Sequence, residues 1–98
     1  MSMKSISEER CVKYLNKTEK ALARVKITAP DRSHAGKIAE DFLTMATSYF
    51  SDAKHFFEKG EFVDSFACVN YAHGWLDAGA RLGLFDVGLD DQLFTLAE

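Results

Sequence analysis

Proline, cysteine and long apolar runs are all scarce in this sequence, and each shortage excludes a class of protein. One proline and six glycines are too few for a collagen-like chain or a Pro/Gly-rich disordered chain. Two cysteines cannot form the disulfide framework of a small secreted domain. No segment approaches the roughly 18 apolar residues of a membrane span, and the first ten residues contain no apolar stretch of a signal peptide. We therefore expect a cytoplasmic protein with no membrane partner.

What the chain does contain is enough apolar material for one core. Its 98 residues are 47% hydrophobic and 28% charged, which is typical of a single globular domain. At this size about two thirds of the unfolded surface becomes buried on folding. We expect residues 1–98 to form one helical domain.

Apolar residues recur at intervals of three and four along three segments, which indicates amphipathic α-helices. The predicted helices cover about residues 6–27, 31–59 and 61–82, and a tail follows over 84–98. The predicted core positions are Cys11, Leu15, Thr18, Leu22 and Val25 in the first helix, Ile38, Phe42, Met45, Tyr49, Ala53 and Phe56 in the second, and Ser65, Val69, Ala72 and Leu76 in the third.

Capping residues mark the beginnings of these helices. Ser5 or Ser7 would accept a backbone N–H at the start of the first helix, and Thr28 or Ser33 would do so for the second. Asp90 could cap a short fourth helix within the tail. Because short connections make neighbouring helices antiparallel, the sequence predicts an all-α, antiparallel up-down-up three-helix bundle with a C-terminal tail or short fourth helix.

The third predicted helix is apolar around nearly its whole circumference. Opposite its core positions, where a solvated helix would be charged, it carries Ala67, Tyr71, Gly74, Trp75 and Ala78. Such a helix usually lies at the centre of a protein or in an interface, and a three-helix bundle has no central helix. Either the tail folds back over this face or another chain covers it. In a third interpretation, Tyr71 and Trp75 simply close the edge of the core.

We therefore predict a non-enzymatic module for protein–protein interaction or self-association that uses this face of the third helix. Gly74 and Ala78 would let another backbone approach closely. Tyr71 and Trp75 are of the residue types that anchor interfaces.

Several stretches in the second half of the chain resemble an archaeal family of uncharacterised proteins, the domain-of-unknown-function family numbered 357. They are Tyr49-x-x-Asp-Ala53, Phe56-x-x-x-Gly60-x-Phe62, Tyr71-Ala-His-Gly-Trp-Leu-Asp-Ala78 and Gly83-Leu-Phe85. The resemblance runs over roughly residues 10–85. It implies a compact three-helix bundle of archaeal, cytoplasmic origin with no established activity, and it supplies no catalytic residues.

A stripe of basic residues on the first helix suggests an alternative function. Its members recur at intervals of three and four: Arg10, Lys13, Lys17, Lys20 and Arg24. Such a stripe could contact the phosphates of a nucleic acid. No aromatic or Gly-rich element accompanies it, and the net charge of −3 favours a solvated face over a dedicated polyanion site.

An enzyme centred on His73 and Asp77 is the third possibility. Antiparallel pairing of the second and third helices would place these two residues near Ser48 and Thr44, which resembles a Ser/His/Asp set. A serine in mid-helix lacks the strained turn and the oxyanion hole that a nucleophile needs. We therefore interpret His73, Asp77 and Arg81 as a polar seam of pairs four residues apart.

Ligands for a metal ion or cofactor do not converge in the sequence. Asp52-x-x-His55 resembles half of a di-metal carboxylate motif, but helix pairing keeps these residues away from His73. We expect no metal and no cofactor. Cys11 and Cys68 fall at similar heights on helices that should run parallel, so their pairing stays open, with free buried thiols the simpler expectation.

Overall fold

The computed structural model describes residues 7–88 of the chain. Within that range three helices follow one another, α1 (Glu8–Arg24), α2 (His34–Glu58) and α3 (Phe62–Arg81). Two-residue strands follow α1 and α3, namely β1 (Lys26–Ile27) and β2 (Phe85–Asp86). The all-α three-helix arrangement predicted from the sequence is confirmed.

Helix α1 begins at a serine cap and ends earlier than predicted. The Ser7 side chain accepts a hydrogen bond from the Arg10 backbone N–H at 3.1 Å, which satisfies one of the unpaired donors of the first turn. Ser5 lies outside the described residues. The helix stops at Arg24, three residues before the predicted end, because the next residues extend and pair as β1.

Helix α2 begins at Ser33, which is the cap in place of Thr28. The Ser33 hydroxyl accepts a hydrogen bond from the Gly36 backbone N–H at 3.0 Å. At the other end Gly60 adopts a left-handed conformation with φ of 78°, which glycine reaches without steric cost. The chain then reverses directly into α3.

The buried line of α2 consists of small residues, and the predicted core stripe was right at Ala53 and wrong at Ile38. Ala39, Ala46 and Ala53 are fully buried, whereas Ile38 is 37% exposed. Alanine lets the backbone of another helix approach closely, so the tightest contact excludes the larger side chains. The larger apolar residues pack beside this line: Phe42, Leu43, Phe50 and Phe57.

Helix α3 packs against this alanine line. Its buried residues include all four predicted core positions, together with one glycine: Ser65, Val69, Ala72, Leu76 and Gly79. The Ser65 hydroxyl donates a hydrogen bond of 2.7 Å to the Ala53 carbonyl oxygen in the buried contact between the helices. This bond allows a polar residue to lie in the core without an unsatisfied group.

Helices α1 and α3 lie side by side and run in the same direction. The Cys11 thiol contacts the Phe62 carbonyl oxygen at 3.2 Å. Further along both helices, the Thr18 hydroxyl hydrogen-bonds to His73 Nδ1 at 2.9 Å. Since both contacts advance together along the two helices, the arrangement is up-down-up.

A small strand pair joins the ends of α1 and α3. β1 and β2 are antiparallel, and the Thr28 backbone N–H adds a hydrogen bond of 3.2 Å to the Leu84 carbonyl oxygen. Phe85 and Val87 are buried, at 4% and 6% exposure. The Phe85 ring lies directly over Gly79, in the space that a Cβ atom would occupy. The strand pair thus closes one end of the core.

The predicted tail over 84–98 is described only as far as Gly88. Its first residues pack into the core beside α1 and α2, on the side of α3 away from the outer face. Asp90 and the short fourth helix that it would cap lie outside the described residues.

Two glycines of α3 provide a matched test of this packing. Gly79→Ala should lower the free energy of unfolding by about 1–3 kcal/mol, because the new methyl group overlaps the Phe85 ring. Gly74→Ala should raise it by about 0.5–1 kcal/mol, because no atom lies within 4 Å of the added Cβ and alanine favours helix. Urea unfolding measures both changes. Equal effects of the two substitutions would contradict this account of the core.

Candidate interaction surface on the third helix

The five residues singled out on the outer side of α3 lie together along one shallow groove. The groove has a volume of about 520 Å³ and an almost wholly apolar lining. Its lining residues are Ala67, Asn70, Tyr71, Gly74, Trp75 and Ala78. We call the exposed apolar line along this side of α3, from Val63 to Leu82, the α3 strip.

Two residues at the ends of the α3 strip were not predicted from the sequence. Val63 is 40% exposed and Leu82 is 67% exposed. Each lies four residues beyond a member of the groove, Val63 before Ala67 and Leu82 after Ala78, so it falls on the same side of the helix. That spacing was the available signal. Both residues lie within the helix predicted over 61–82.

Stacking against α2 holds the two aromatic residues of the groove. The Tyr71 ring lies 5.4 Å from that of Tyr49 in a stacked geometry, and the Trp75 ring lies 4.9 Å from that of Phe42 in an edge-to-face geometry. Trp75 is half-buried and closes the edge of the core, as one interpretation predicted. Tyr71 does not close it, because 63% of the residue is exposed.

No contact within the described residues explains why position 74, in the middle of the groove, is a glycine. A glycine inside a helix costs about 0.5–1 kcal/mol relative to alanine. At Gly79 the overlying Phe85 ring requires the missing side chain, but nothing lies within 4 Å of the position of a Cβ at Gly74. Gly74 leaves a notch in the α3 strip that is open to solvent.

His73 of α3 faces α1, which corrects one geometric expectation. His73 was expected near Ser48 and Thr44 of α2, but its Nδ1 bonds to the Thr18 hydroxyl. Its Nε2 lies 3.8 Å from the Asp77 carboxylate, with both side chains half-buried. Pairing α2 with α3 does not determine the rotation of α3 about its own axis, and that rotation turns His73 toward α1.

Thr44 and Ser48 lie elsewhere, on the exposed side of α2. They line a separate groove with these residues: Glu40, Leu43, Thr44, Thr47, Ser48 and Ser51. The predicted Ser/His/Asp set is therefore not assembled. Arg81 lies exposed in the last turn of α3.

The basic stripe of α1 is partly engaged with aromatic rings. The Arg10 guanidinium lies 5.8 Å from the Tyr14 ring centre and 5.4 Å from that of Phe66, and the Lys17 ammonium lies 5.9 Å from the Tyr14 ring centre. These distances are within the range of cation–π contacts. The remaining members are exposed: Lys13, Lys20 and Arg24.

Both cysteines are free thiols. Burial raises the pKa of the Cys11 thiol. Burial also raises the pKa of Cys68, and the nearby carboxylates of Asp52 and Asp64 raise it further. Both thiols are therefore held in the neutral form, which is the less nucleophilic one.

Within residues 7–88, no group of three or more His, Cys, Asp or Glu side chains is arranged to hold a metal ion. Asp52 and His55 lie exposed on α2. No helix in the same range is long and apolar enough to cross a membrane.

Comparison with known proteins gives one match. The family described as "Protein of unknown function (DUF357)" matches residues 13–85, which confirms the resemblance found in the sequence. No curated protein matches, and no solved structure matches.

The hydrogen bond between Thr18 and His73 should contribute to stability. Thr18→Val keeps the shape of a fully buried side chain but leaves the half-buried imidazole without this partner, so unfolding should become easier by about 1 kcal/mol. Thr44→Val, at an exposed position of α2, is the matched control and should stay within about 0.5 kcal/mol of the parent. Urea unfolding of both variants measures the difference. Equal stabilities would show that the bond adds nothing.

The raised pKa values of the cysteines predict a stability that declines at alkaline pH. A thiol whose pKa is higher in the folded chain binds more protons there, so stability is retained below the ordinary pKa of about 8.5 and falls above it. Urea unfolding between about pH 7 and pH 10 should show the decline. It should be smaller in the Cys11→Ala/Cys68→Ala variant. Identical pH profiles would contradict the assignment.

Proposed function

The chain belongs to the DUF357 family, whose function is unknown, and we propose that it is a non-enzymatic protein-interaction module that binds an α-helix along the α3 strip. The setting that we propose is the archaeal cytoplasm, which rests on the sequence resemblance alone.

The observation that carries this proposal is the open notch at Gly74 beside an exposed tyrosine. Tyr71 projects 63% of its surface to solvent although Tyr49 holds its ring. A fixed aromatic ring loses little conformational freedom when a partner covers it, which is a property of binding anchors. The notch at Gly74 offers the close backbone approach that a helix–helix contact uses.

The shape of the α3 strip favours a helix as the ligand. Its exposed residues follow the spacing of one helix face from Val63 to Leu82, a length of about 28 Å at 1.5 Å per residue. A straight apolar line of this length fits the apolar face of a second helix. An extended peptide would need a sheet edge for its backbone hydrogen bonds, and the surface of α3 offers no such edge.

A library of displayed amphipathic helices tests this function directly. Selection on the parent protein alone should recover helices that bind the parent and lose at least about tenfold in affinity for Tyr71→Glu. A carboxylate buried against an apolar face carries a large desolvation cost. Affinities are measured by fluorescence anisotropy with labelled peptides.

Val12→Glu is the matched control for this test. Val12 is an exposed apolar residue of α1, at 39% exposure, so the same type of substitution is made away from the α3 strip. The selected peptides should bind this variant as they bind the parent. Helices that bind the parent and Tyr71→Glu equally well would refute the proposal.

A further inference from the structure

The α3 strip is self-complementary, and this property identifies its occupant. We infer that the strip binds the α3 helix of a second copy of this chain, antiparallel, across a two-fold axis that passes between Ala72 and His73. The inference rests on the proposed function and specifies the partner of the same surface.

The residues of the α3 strip and the two charged residues at its ends have the spacing of an antiparallel helix pair. Six positions of α3 follow one another at intervals of three and four, as the a and d positions of a heptad do. They are Asp64, Ala67, Tyr71, Gly74, Ala78 and Arg81. In an antiparallel pair, each a residue of one helix lies in the same layer as a d residue of the other.

The innermost layers of this arrangement bring Tyr71 of each copy over Gly74 of the other. The tyrosine is exposed, and the space above the glycine is empty to 4 Å. A large side chain thus meets a notch on both sides of the axis. The pairing also provides the reason for a glycine that nothing within residues 7–88 of its own chain requires.

The next layers pair Ala67 with Ala78, and the end layers pair Asp64 with Arg81. Two small residues keep the helices close, and the terminal pair joins opposite charges. Asp64 and Arg81 are both exposed. The segment from Asp64 to Arg81 is therefore complementary to an antiparallel copy of itself.

A parallel pair would have none of these properties. It would place each residue opposite its own copy, so that Asp64 met Asp64, Arg81 met Arg81 and the two tyrosines collided while the notches faced each other. Like charges opposite one another are destabilising. The charges and the side-chain sizes therefore both select the antiparallel orientation.

The length of the contact sets the strength expected of the dimer. The six positions span about 26 Å on a helix about 10 Å wide, so the footprint is smaller than the roughly 800 Å² per partner of a standard stable interface. We expect a reversible dimer that forms with increasing concentration. Sedimentation equilibrium between about 10 μM and 1 mM covers the range of such a complex.

Sedimentation of the full chain gives the first part of the test. The parent and Val12→Glu should both approach a dimer at the upper concentrations, while Tyr71→Glu stays a monomer with an unchanged helical circular dichroism spectrum. A parent that stays a monomer over the whole range overturns the inference, as does a Tyr71→Glu variant that dimerises like the parent.

Engineered cysteines give the second part, because they report orientation and register. An equimolar mixture of the Ala67→Cys and Ala78→Cys variants should form at least about ten times more disulfide-linked dimer than either variant alone, since the paired positions approach within the roughly 7 Å Cα separation that a disulfide requires. Two copies of position 67 lie about 16 Å apart in this arrangement. The parent, with its two native thiols, gives the background. Cross-linking of each variant with itself would overturn the antiparallel pairing.

The two proposals fail in distinguishable ways. If the parent is a monomer and the selected helical peptides still bind the α3 strip, the second copy is excluded and the interaction module stands. If the peptides fail to discriminate the parent from Tyr71→Glu, and the cysteine pair also fails to form, both proposals are wrong.

Discussion

The close contact between α2 and α3 is the interaction on which the rest of the molecule depends. On α2 it is made by the fully buried Ala46 and Ala53, and across it the Ser65 hydroxyl of α3 donates a hydrogen bond to the Ala53 carbonyl oxygen. Because these side chains are short, the two helices approach closely, and the larger apolar residues are displaced to both sides of the contact. One of the two sides becomes the core under α1. On the other side, away from α1, Trp75 packs against Phe42 and Tyr71 packs against Tyr49.

The strand pair has a separate role, because it closes the core at one end. Two residues of β1 pair with two residues of β2, and the hydrogen bonds of so short a ladder contribute little alone. Their effect is to direct Phe85 over Gly79 and Val87 into the cluster with Leu76. The segment after α3 is thereby committed to the core, which leaves the α3 strip uncovered through Gly88.

A bundle of this size has limited surface to divide between stability and recognition. Helix α1 uses its aromatic and basic side chains, such as Tyr14 and Arg10, to cover Phe66. The exposed side of α2 around Thr44 and Ser48 carries mainly hydroxyl side chains. Among residues 7–88, helix α3 presents a long apolar line to solvent, and no contact in that range requires the glycine at position 74. This exposed apolar line is the reason that we propose recognition at α3.

The sequence by itself determined the number of helices, their approximate limits, the core face of α3 and the apolar excess opposite that face. Those features depend on local periodicity, on capping residues such as Ser7 and Ser33, and on turn glycines, which act over a few residues. Only the tertiary structure decided that Ala39 rather than Ile38 is buried, that His73 meets Thr18, and that Phe85 requires Gly79. Each of these depends on how far two helices approach and how they rotate about their axes, and side chains distant in sequence set both.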